Sequence, residues 1–212
     1  MRRLGIAALA LFVSSSFVSG AVARSTTARV RPTSVYAKAK CPGIPGGTGI
    51  LPDGDFSRTR DQGGAETTYD KSAKFAPHWK VAKGNVDFSG SHFYGISWYC
   101  SVDLDGYFTV GGIRARFATA PGTTYSVSFL LSGNGGYPPT VKTMLLSAAG
   151  QSQTFTWDTS NNNDIEDGEY APESWSFQAT SPVTTLRFIS EDPRGSSRGA
   201  VIAGVAVTAT GS

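Results

Sequence analysis

The chain has 212 residues, and its 25 Gly, 11 Pro and only 2 Met favour one turn-rich all-β domain over a helical one. The net charge of +3 comes from the N-terminal part, since from Cys41 onward 12 Lys and Arg stand against 16 Asp and Glu. The predicted domain is therefore acidic, which argues against a nucleic-acid-binding surface.

The first 23 residues have the three parts of a secretory signal. Residues 1–3 carry two arginines, residues 4–13 are apolar, and Ala21-Val22-Ala23 is a small-residue cleavage site. The apolar run is too short to span a bilayer, and no later segment approaches about 20 apolar residues. We therefore predict cleavage after Ala23, secretion, and no transmembrane segment in the mature chain. The alternative is an uncleaved N-terminal anchor.

Residues 24–40 predict a basic, disordered leader, because five Lys and Arg lie among Ser, Thr, Ala and Pro with no acidic residue. A single domain over 41–212 follows. Its two cysteines, Cys41 and Cys100, predict a disulfide, since oxidation is the default in an exported chain. Closing a loop of that length stabilises the fold by roughly 4 kcal/mol on the chain-entropy model.

The predicted elements of the domain are short strands with alternating apolar residues. In chain order they cover 50–56, 78–81, 86–88, 102–104, 113–117, 125–131, 141–148, 151–157, 175–179, 184–189 and 200–208. Residues 57–76 are predicted to be irregular, and 158–173 to be a hydrophilic insertion. About ten strands without a helical period predict a two-sheet β-sandwich or jelly roll.

Five segments in register with these strands carry a family resemblance. They are Val86-Asp87-Phe88, residues 101–106 (SVDLDG), residues 118–125 (ATAPGTTY), Ser132-Gly133-Asn134 and Ala200-Val201-Ile202. In this order they resemble the choice-of-anchor C proteins, which are similar to the plant cell-wall proteins of domain-of-unknown-function family 642. The resemblance covers roughly 50–208. It implies a galactose-binding-like β-sandwich with an extracellular, wall-associated or carbohydrate-associated role, and no known reaction.

The chain departs from that family at two positions. The family has a Glu near its first strand and an Asp in its last strand. These resemble the carboxylates that hold a structural calcium ion in many carbohydrate-binding jelly rolls. At the matching positions this chain has Ser57 and Ala203. Because calcium needs several oxygen ligands with carboxylate charge, we expect no calcium between the first and last strands. The predicted Cys41–Cys100 disulfide is the expected substitute as a clamp.

The candidates for catalysis are few. Asp103 and Asp105 are two residues apart on a strand and share a face, as a catalytic pair would, but Asp105-Gly106 is also ordinary turn chemistry. The two histidines, His78 and His92, are too scattered for a metal site, and His78 is predicted to lie on a strand surface. We therefore predict that the protein is not an enzyme and needs no cofactor.

An acidic segment supplies the one weak metal candidate. Asp164, Glu166, Asp167 and Glu169 offer hard oxygen ligands for calcium, but their spacing departs from that of an EF-hand loop. A solvated acidic loop is the favoured interpretation.

Aromatic residues in loops supply the binding candidates, because sugar rings stack their C–H faces on flat aromatic side chains. Tyr94, Trp98, Tyr99 and Tyr137 form the candidate site, and Tyr107 also lies next to a loop. Aromatics within strands are expected in the core instead; these are Trp79, Phe117, Tyr125, Phe129, Trp175 and Phe188.

The sequence thus predicts a secreted, non-catalytic, carbohydrate-binding-like module associated with cell-envelope or extracellular polysaccharide. The alternative is a structural or adhesive extracellular module that binds a protein partner. A glycoside-active enzyme is the third possibility, and it lacks two carboxylates that can be placed at the separation its chemistry needs.

Overall fold

The computed structural model describes residues 41, 47–59, 66–90, 100–160 and 169–211. Within them lie thirteen β-strands, and no helix there is long and apolar enough to cross a membrane. The strands are β1 Glu66–Asp70, β2 Trp79–Lys83, β3 Asn85–Ser89, β4 Ser101–Asp103, β5 Asp105–Gly106, β6 Thr109–Val110, β7 Gly112–Ala118, β8 Thr124–Gly133, β9 Val141–Ala148, β10 Gln151–Asp158, β11 Ala171–Gln178, β12 Val183–Ser190 and β13 Ala200–Gly211.

Two antiparallel sheets make up most of the fold. The six-stranded sheet has the order β1-β3-β4-β13-β8-β11, and the five-stranded sheet has the order β10-β9-β12-β7-β2. Beyond β4 the chain continues into a small hairpin formed by β5 and β6. The all-β, two-sheet sandwich predicted from the sequence is therefore confirmed.

The core is built from alternating residues of the long strands. On β8, Tyr125, Val127, Phe129 and Leu131 are all buried. Rings from both sheets meet there: the Phe129 and Phe188 ring centroids are 5.4 Å apart with the rings edge to face. The prediction that strand aromatics fill the core is confirmed except for Trp175, which lies on the edge strand β11 and is half-buried.

The predicted first strand at 50–56 is wrong. This segment is a series of turns in which Asp53 and Phe56 have positive φ, which interrupts any extended strand. It joins the sheet through a parallel bridge between Gly49 and Val207 and through the hydrogen bond from Val205 N–H to the Gly54 carbonyl. The apolar pattern misled because Phe56 is fully buried although it stands in a turn.

The predicted irregular stretch 57–76 is also wrong in part, since it contains β1. This edge strand has an exposed, polar sequence, Glu-Thr-Thr-Tyr-Asp, which gives no apolar alternation to detect. The hydrophilic insertion 158–173 is likewise shorter than predicted, because β11 begins at Ala171. The 141–157 hairpin is confirmed, with β9 paired to β10 over its full length.

The predicted disulfide between Cys41 and Cys100 is present, with Cα atoms 5.2 Å apart and both residues buried. It ties residue 41 to the residue preceding β4. The neighbouring aromatics Trp98 and Tyr99 lie outside the described residues.

Candidate functional site

One face of the six-stranded sheet is polar although it is buried. Register places Asp87, Asp103, Val201 and Ser132 in one row across β3, β4, β13 and β8. The adjacent row, formed by Phe88, Val102, Ile202 and Leu131, belongs to the apolar core. Because successive residues of a strand point to opposite faces, the row with Asp87 and Asp103 faces away from that core.

Asp103 joins three segments at one end of this sheet. Its Oδ1 accepts hydrogen bonds from the backbone N–H groups of Asp105 and Gly199, both at 2.9 Å, and its Oδ2 accepts one from Asn134 Nδ2 at 2.8 Å. Burial raises the pKa of Asp103 well above its ordinary value, although these hydrogen bonds act in the opposite direction. The end of the sheet formed by 103–110, 133–140 and 191–200 is called the loop end below.

Two buried carboxyls, Asp105 and Asp192, face each other beside Asp103. Neither oxygen of Asp105, nor Oδ2 of Asp192, receives a hydrogen bond from a donor group in the described part of the chain. Burial raises the pKa of Asp192 to about 7; the Thr143 N–H on its Oδ1 opposes that rise, and the charge of Asp105 adds to it. The Asp192 and Asp105 carboxyls lie within hydrogen-bond distance of each other, and this contact also contributes to the raised pKa of Asp192.

Lys142 closes the loop end from the facing sheet. Its Nζ donates to the carbonyl of Tyr137 at 2.8 Å and to the carbonyl of Arg198 at 2.6 Å. Burial lowers the pKa of Lys142, an effect that the negative charge of nearby Asp192 opposes. The ammonium group therefore fastens the 133–140 loop to the 191–200 segment.

Tyr137 projects from the loop that Lys142 holds. Its side chain is 54% exposed, and the Arg198 guanidinium carbon lies 5.9 Å from the centre of its ring. Arg198 Nη1 also donates to the Gly135 carbonyl at 2.7 Å. The cation–π contact and the hydrogen bond together orient the ring.

A second set of exposed rings rises from the β5–β6 hairpin. Tyr107 is 72% exposed and Phe108 is 53% exposed, and their centroids lie 4.6 Å apart with the planes at 71°. The hairpin follows β4, and the Tyr137 loop follows β8, with β13 between these two strands in the sheet. Both sets of rings therefore project from the loop end.

A further carboxyl pair lies at the edge of the polar face. Thr68 Oγ1 donates to Asp87 Oδ1 at 2.6 Å, and the exposed Glu66 shares a hydrogen bond with the Asp87 carboxyl. Desolvation on that side raises the pKa of Glu66 to about 7, with the hydrogen bond and the charge of Asp87 adding to the rise. Glu66 is thus a solvent-accessible carboxyl that titrates near neutrality.

Of the four predicted binding aromatics, the structure describes one. Tyr137 is exposed at the loop end, whereas Tyr94, Trp98 and Tyr99 lie outside the described residues. The sequence analysis named Tyr107 as lying next to a loop but did not name Phe108. Phe108 stands among alternating polar and apolar residues, a pattern that is typical of a strand. The signal that could have found it is the two-residue turn after Asp105-Gly106.

The other sequence candidates fall in different places. Asp103 and Asp105 lie together but are buried, so in this arrangement neither can touch a substrate. Of the acidic-loop candidates, Glu169 is half-buried, and Asp164, Glu166 and Asp167 lie outside the described residues. His78 is exposed just before β2, and its Nδ1 lies 2.7 Å from Asp53 Oδ2.

The described residues contain no group of three or more His, Cys, Asp or Glu arranged to hold a metal ion. A shallow cavity of about 200 Å³ lies elsewhere; it is lined by Arg58, Lys74, Phe75, Ala76 and Pro77. At the loop end, the exposed rings of Tyr107, Phe108 and Tyr137 are accessible to a ligand.

Comparisons with known proteins give one family. Residues 49–208 match the family model described as protein of unknown function (DUF642). No curated protein matches the chain.

Several solved structures are similar in fold. A structure titled "CBM4 structure and function" shares 10% identity and covers 76% of this chain and 99% of its own, with a TM-score of 0.42. TmCBM61 in complex with β-1,4-galactotriose shares 11% identity over 76% and 99%, with a TM-score of 0.41. A CBM35 from Paenibacillus barcinonensis shares 18% identity over 68% and 99%, with a TM-score of 0.38. At these identities and TM-scores the likeness does not establish a function for this chain.

Proposed function

The chain belongs to the family described as protein of unknown function (DUF642), and we propose that it is a secreted, non-catalytic module that binds cell-envelope or extracellular polysaccharide. Its sequence motifs also favour a place among the choice-of-anchor C proteins. In this proposal residues 1–23 are a signal peptide, residues 24–40 are a basic leader, and residues 41–212 are the single binding domain.

One observation carries the proposal: three exposed aromatic rings project from the same end of one sheet. Tyr107, Phe108 and Tyr137 are each more than half exposed. Covering an exposed aromatic ring with a ligand removes apolar surface from water, which is favourable. The C–H faces of sugar rings are suited to cover such a ring. Hydroxyl groups of the same sugar then meet the polar edge of Tyr107 and Tyr137.

The buried polar cluster beneath the rings supports a binding role by fixing their positions. Lys142 and Asp103 link the 133–140 loop to the 191–200 segment through four hydrogen bonds in total. A rigid site loses less conformational entropy on binding than a mobile one. The cluster itself is too buried to act on a glycosidic bond, which favours binding without catalysis.

Export is supported by the Cys41–Cys100 disulfide, because such bonds persist in oxidising compartments. Among the described residues, Glu66 is exposed and has a pKa raised to about 7, and its carboxyl is in direct hydrogen-bond contact with that of Asp87. A carboxyl pair in contact leaves no space for a glycosidic bond between its members. This favours the non-catalytic reading over a glycoside-active one.

Affinity electrophoresis in gels that contain soluble galactan, xyloglucan, mixed-linkage β-glucan or pectin tests the proposal on the secreted protein. We expect at least one polysaccharide to retard the wild-type protein, and we expect Tyr137→Ala to weaken that retardation by about tenfold or more in Kd. Val183→Ala is the matched control, because Val183 is exposed but lies on β12, away from the loop end.

Two outcomes would contradict the proposal. One is that no polysaccharide of the panel retards the protein; the other is that Tyr137→Ala and Val183→Ala behave alike. A pull-down dominated by a single extracellular protein would favour the adhesive alternative instead.

A further inference from the structure

The turn that carries Tyr107 and Phe108 has a backbone that does not suit its own sequence. Gly106 pairs with Thr109, so Tyr107 and Phe108 form a two-residue turn, and Phe108 has φ of +53°. A positive φ at the second position of a turn is usually taken by Gly or Asn, because a Cβ crowds the backbone there. An aromatic residue at this position is strained.

A comparison within the chain shows what normally offsets such strain. Phe56 also has a positive φ, of 56°, but its ring is fully buried and its centroid lies 5.3 Å from that of Trp79. Burial of an aromatic ring outweighs the cost of the backbone conformation. Phe108 is 53% exposed and gains much less, so the folded domain alone does not account for Phe at this position.

The surrounding contacts hold the turn in this conformation. Thr109 Oγ1 lies within hydrogen-bond distance of Asn85 Oδ1 and of the Tyr107 carbonyl, the latter at 3.1 Å, and its single O–H donates to one of them at a time. The Gly111 N–H donates to the Leu104 carbonyl at 2.8 Å. The hairpin packs so closely on β3 that a Cβ on Gly106 would lie 2.5 Å from Asn85 Oδ1. These contacts restrain the backbone of the turn from which both rings project.

The two rings form a corner rather than a platform. With centroids 4.6 Å apart and planes at 71°, the edge of one ring meets the face of the other. A run of consecutive sugar rings would need aromatic faces in one plane, separated by the length of a sugar residue. A corner instead offers one face and one edge to a single ring.

We propose that the Tyr107–Phe108 corner binds one sugar residue at the end or on a side branch of a polysaccharide, and that this contact is the reason Phe occupies the strained turn position. The inference rests on the proposed function and deepens it by naming the part of the polymer that is bound. In this proposal Tyr137 contacts the same sugar residue from the neighbouring loop.

Two substitutions separate ligand contact from stability. Phe108→Gly and Phe108→Asn both remove the ring and both suit a positive φ. We expect each variant to melt at the wild-type temperature or above it, and to bind at least about tenfold more weakly. Val183→Ala, an exposed residue on β12 away from the corner, is the control and should bind as the wild-type protein does.

The probes are β-1,4-linked galacto-, gluco- and xylo-oligosaccharides of two to six residues, with binding measured by isothermal titration calorimetry on the full secreted protein. Within any oligosaccharide series that binds, we expect the affinity to change little with the length of the oligosaccharide, because a single sugar residue fills the corner. A steady rise in affinity from two to six residues would contradict the binding of a single sugar residue at the corner. It would favour a platform that contacts several consecutive sugar residues.

The remaining outcomes are also decisive. If a polysaccharide of the electrophoresis panel retards the wild-type protein but none of the probes binds, only the inference fails; if no polysaccharide retards it, the proposed function and the inference both fail. If the wild-type protein binds but Phe108→Gly and Phe108→Asn bind equally well, only the inference fails. If both variants melt many degrees lower, Phe108 is retained for stability, and the explanation of its strained position is wrong.

Discussion

Asp192 makes the stability of this domain depend on pH in a direction that can be worked out. Its pKa is raised from 3.8 to about 7 in the folded state, chiefly by burial. The native state therefore holds a proton between about pH 4 and 7 that the unfolded state has released, so the free energy of unfolding falls as pH rises through this window. Below the unfolded pKa both states are protonated and the effect vanishes.

The magnitude follows from the size of the shift. A difference of about three pKa units, at about 1.4 kcal/mol each, sets an upper bound of about 4 kcal/mol, which partial solvation of the carboxyl reduces to about 1 to 3 kcal/mol of stability lost between pH 4 and pH 8. Asp192→Asn removes this ionisation. Its amide oxygen can still accept from the Thr143 N–H, and its amide nitrogen can donate to Asp105, whose oxygens otherwise lack a donor in the described residues.

Urea unfolding at constant ionic strength from pH 4.5 to 8.5 measures the effect. We expect the free energy of unfolding of Asp192→Asn to exceed that of the wild-type protein by an amount that grows as pH rises and reaches a few kcal/mol at pH 8. Asp70→Asn, an exposed residue on β1, controls for the general effect of removing one negative charge. A difference in the free energy of unfolding between Asp192→Asn and the wild-type protein that does not change with pH would refute the raised pKa of Asp192.

Three further predictions address other parts of the account. Lys142→Met should lower the free energy of unfolding by about 1 to 3 kcal/mol in urea titrations, since it leaves the Tyr137 and Arg198 carbonyls without their donor; wild-type stability would contradict this role. Native protein should be two hydrogens lighter than reduced protein, and replacing Cys41 and Cys100 by Ser should cost about 4 kcal/mol, whereas two free thiols would exclude the bond. N-terminal sequencing of secreted protein should begin near Arg24, and an intact Met1 in a membrane pellet would disprove cleavage.

The sequence was sufficient for the sandwich because its long strands have one buried face each. Val127, Phe129 and Leu131 alternate with more exposed residues, and the structure places them in the core. Alternation fails where burial does not follow a strand: Phe56 is buried in a turn, and β1 is an edge strand with no apolar face.

The site was less predictable, because its chemistry depends on what covers each residue. The two-residue spacing of Asp103 and Asp105 suggested a shared face, but it could not show that both are fully enclosed. No sequence pattern predicts that Lys142, which lies on the inward face of β9, donates hydrogen bonds to the carbonyls of residues 137 and 198. Such contacts join segments far apart in the chain, and they follow from the topology alone.

The most direct test of polysaccharide binding at the loop end is chemical-shift mapping of the secreted, isotope-labelled protein with an oligosaccharide from any polymer that retards it. We predict that backbone amides at 106–109 and 135–137 shift with added ligand, while amides around Val183, at the start of β12, remain unchanged. Shifts confined to residues outside the loop end, or no shifts at saturating oligosaccharide, would contradict the central claim.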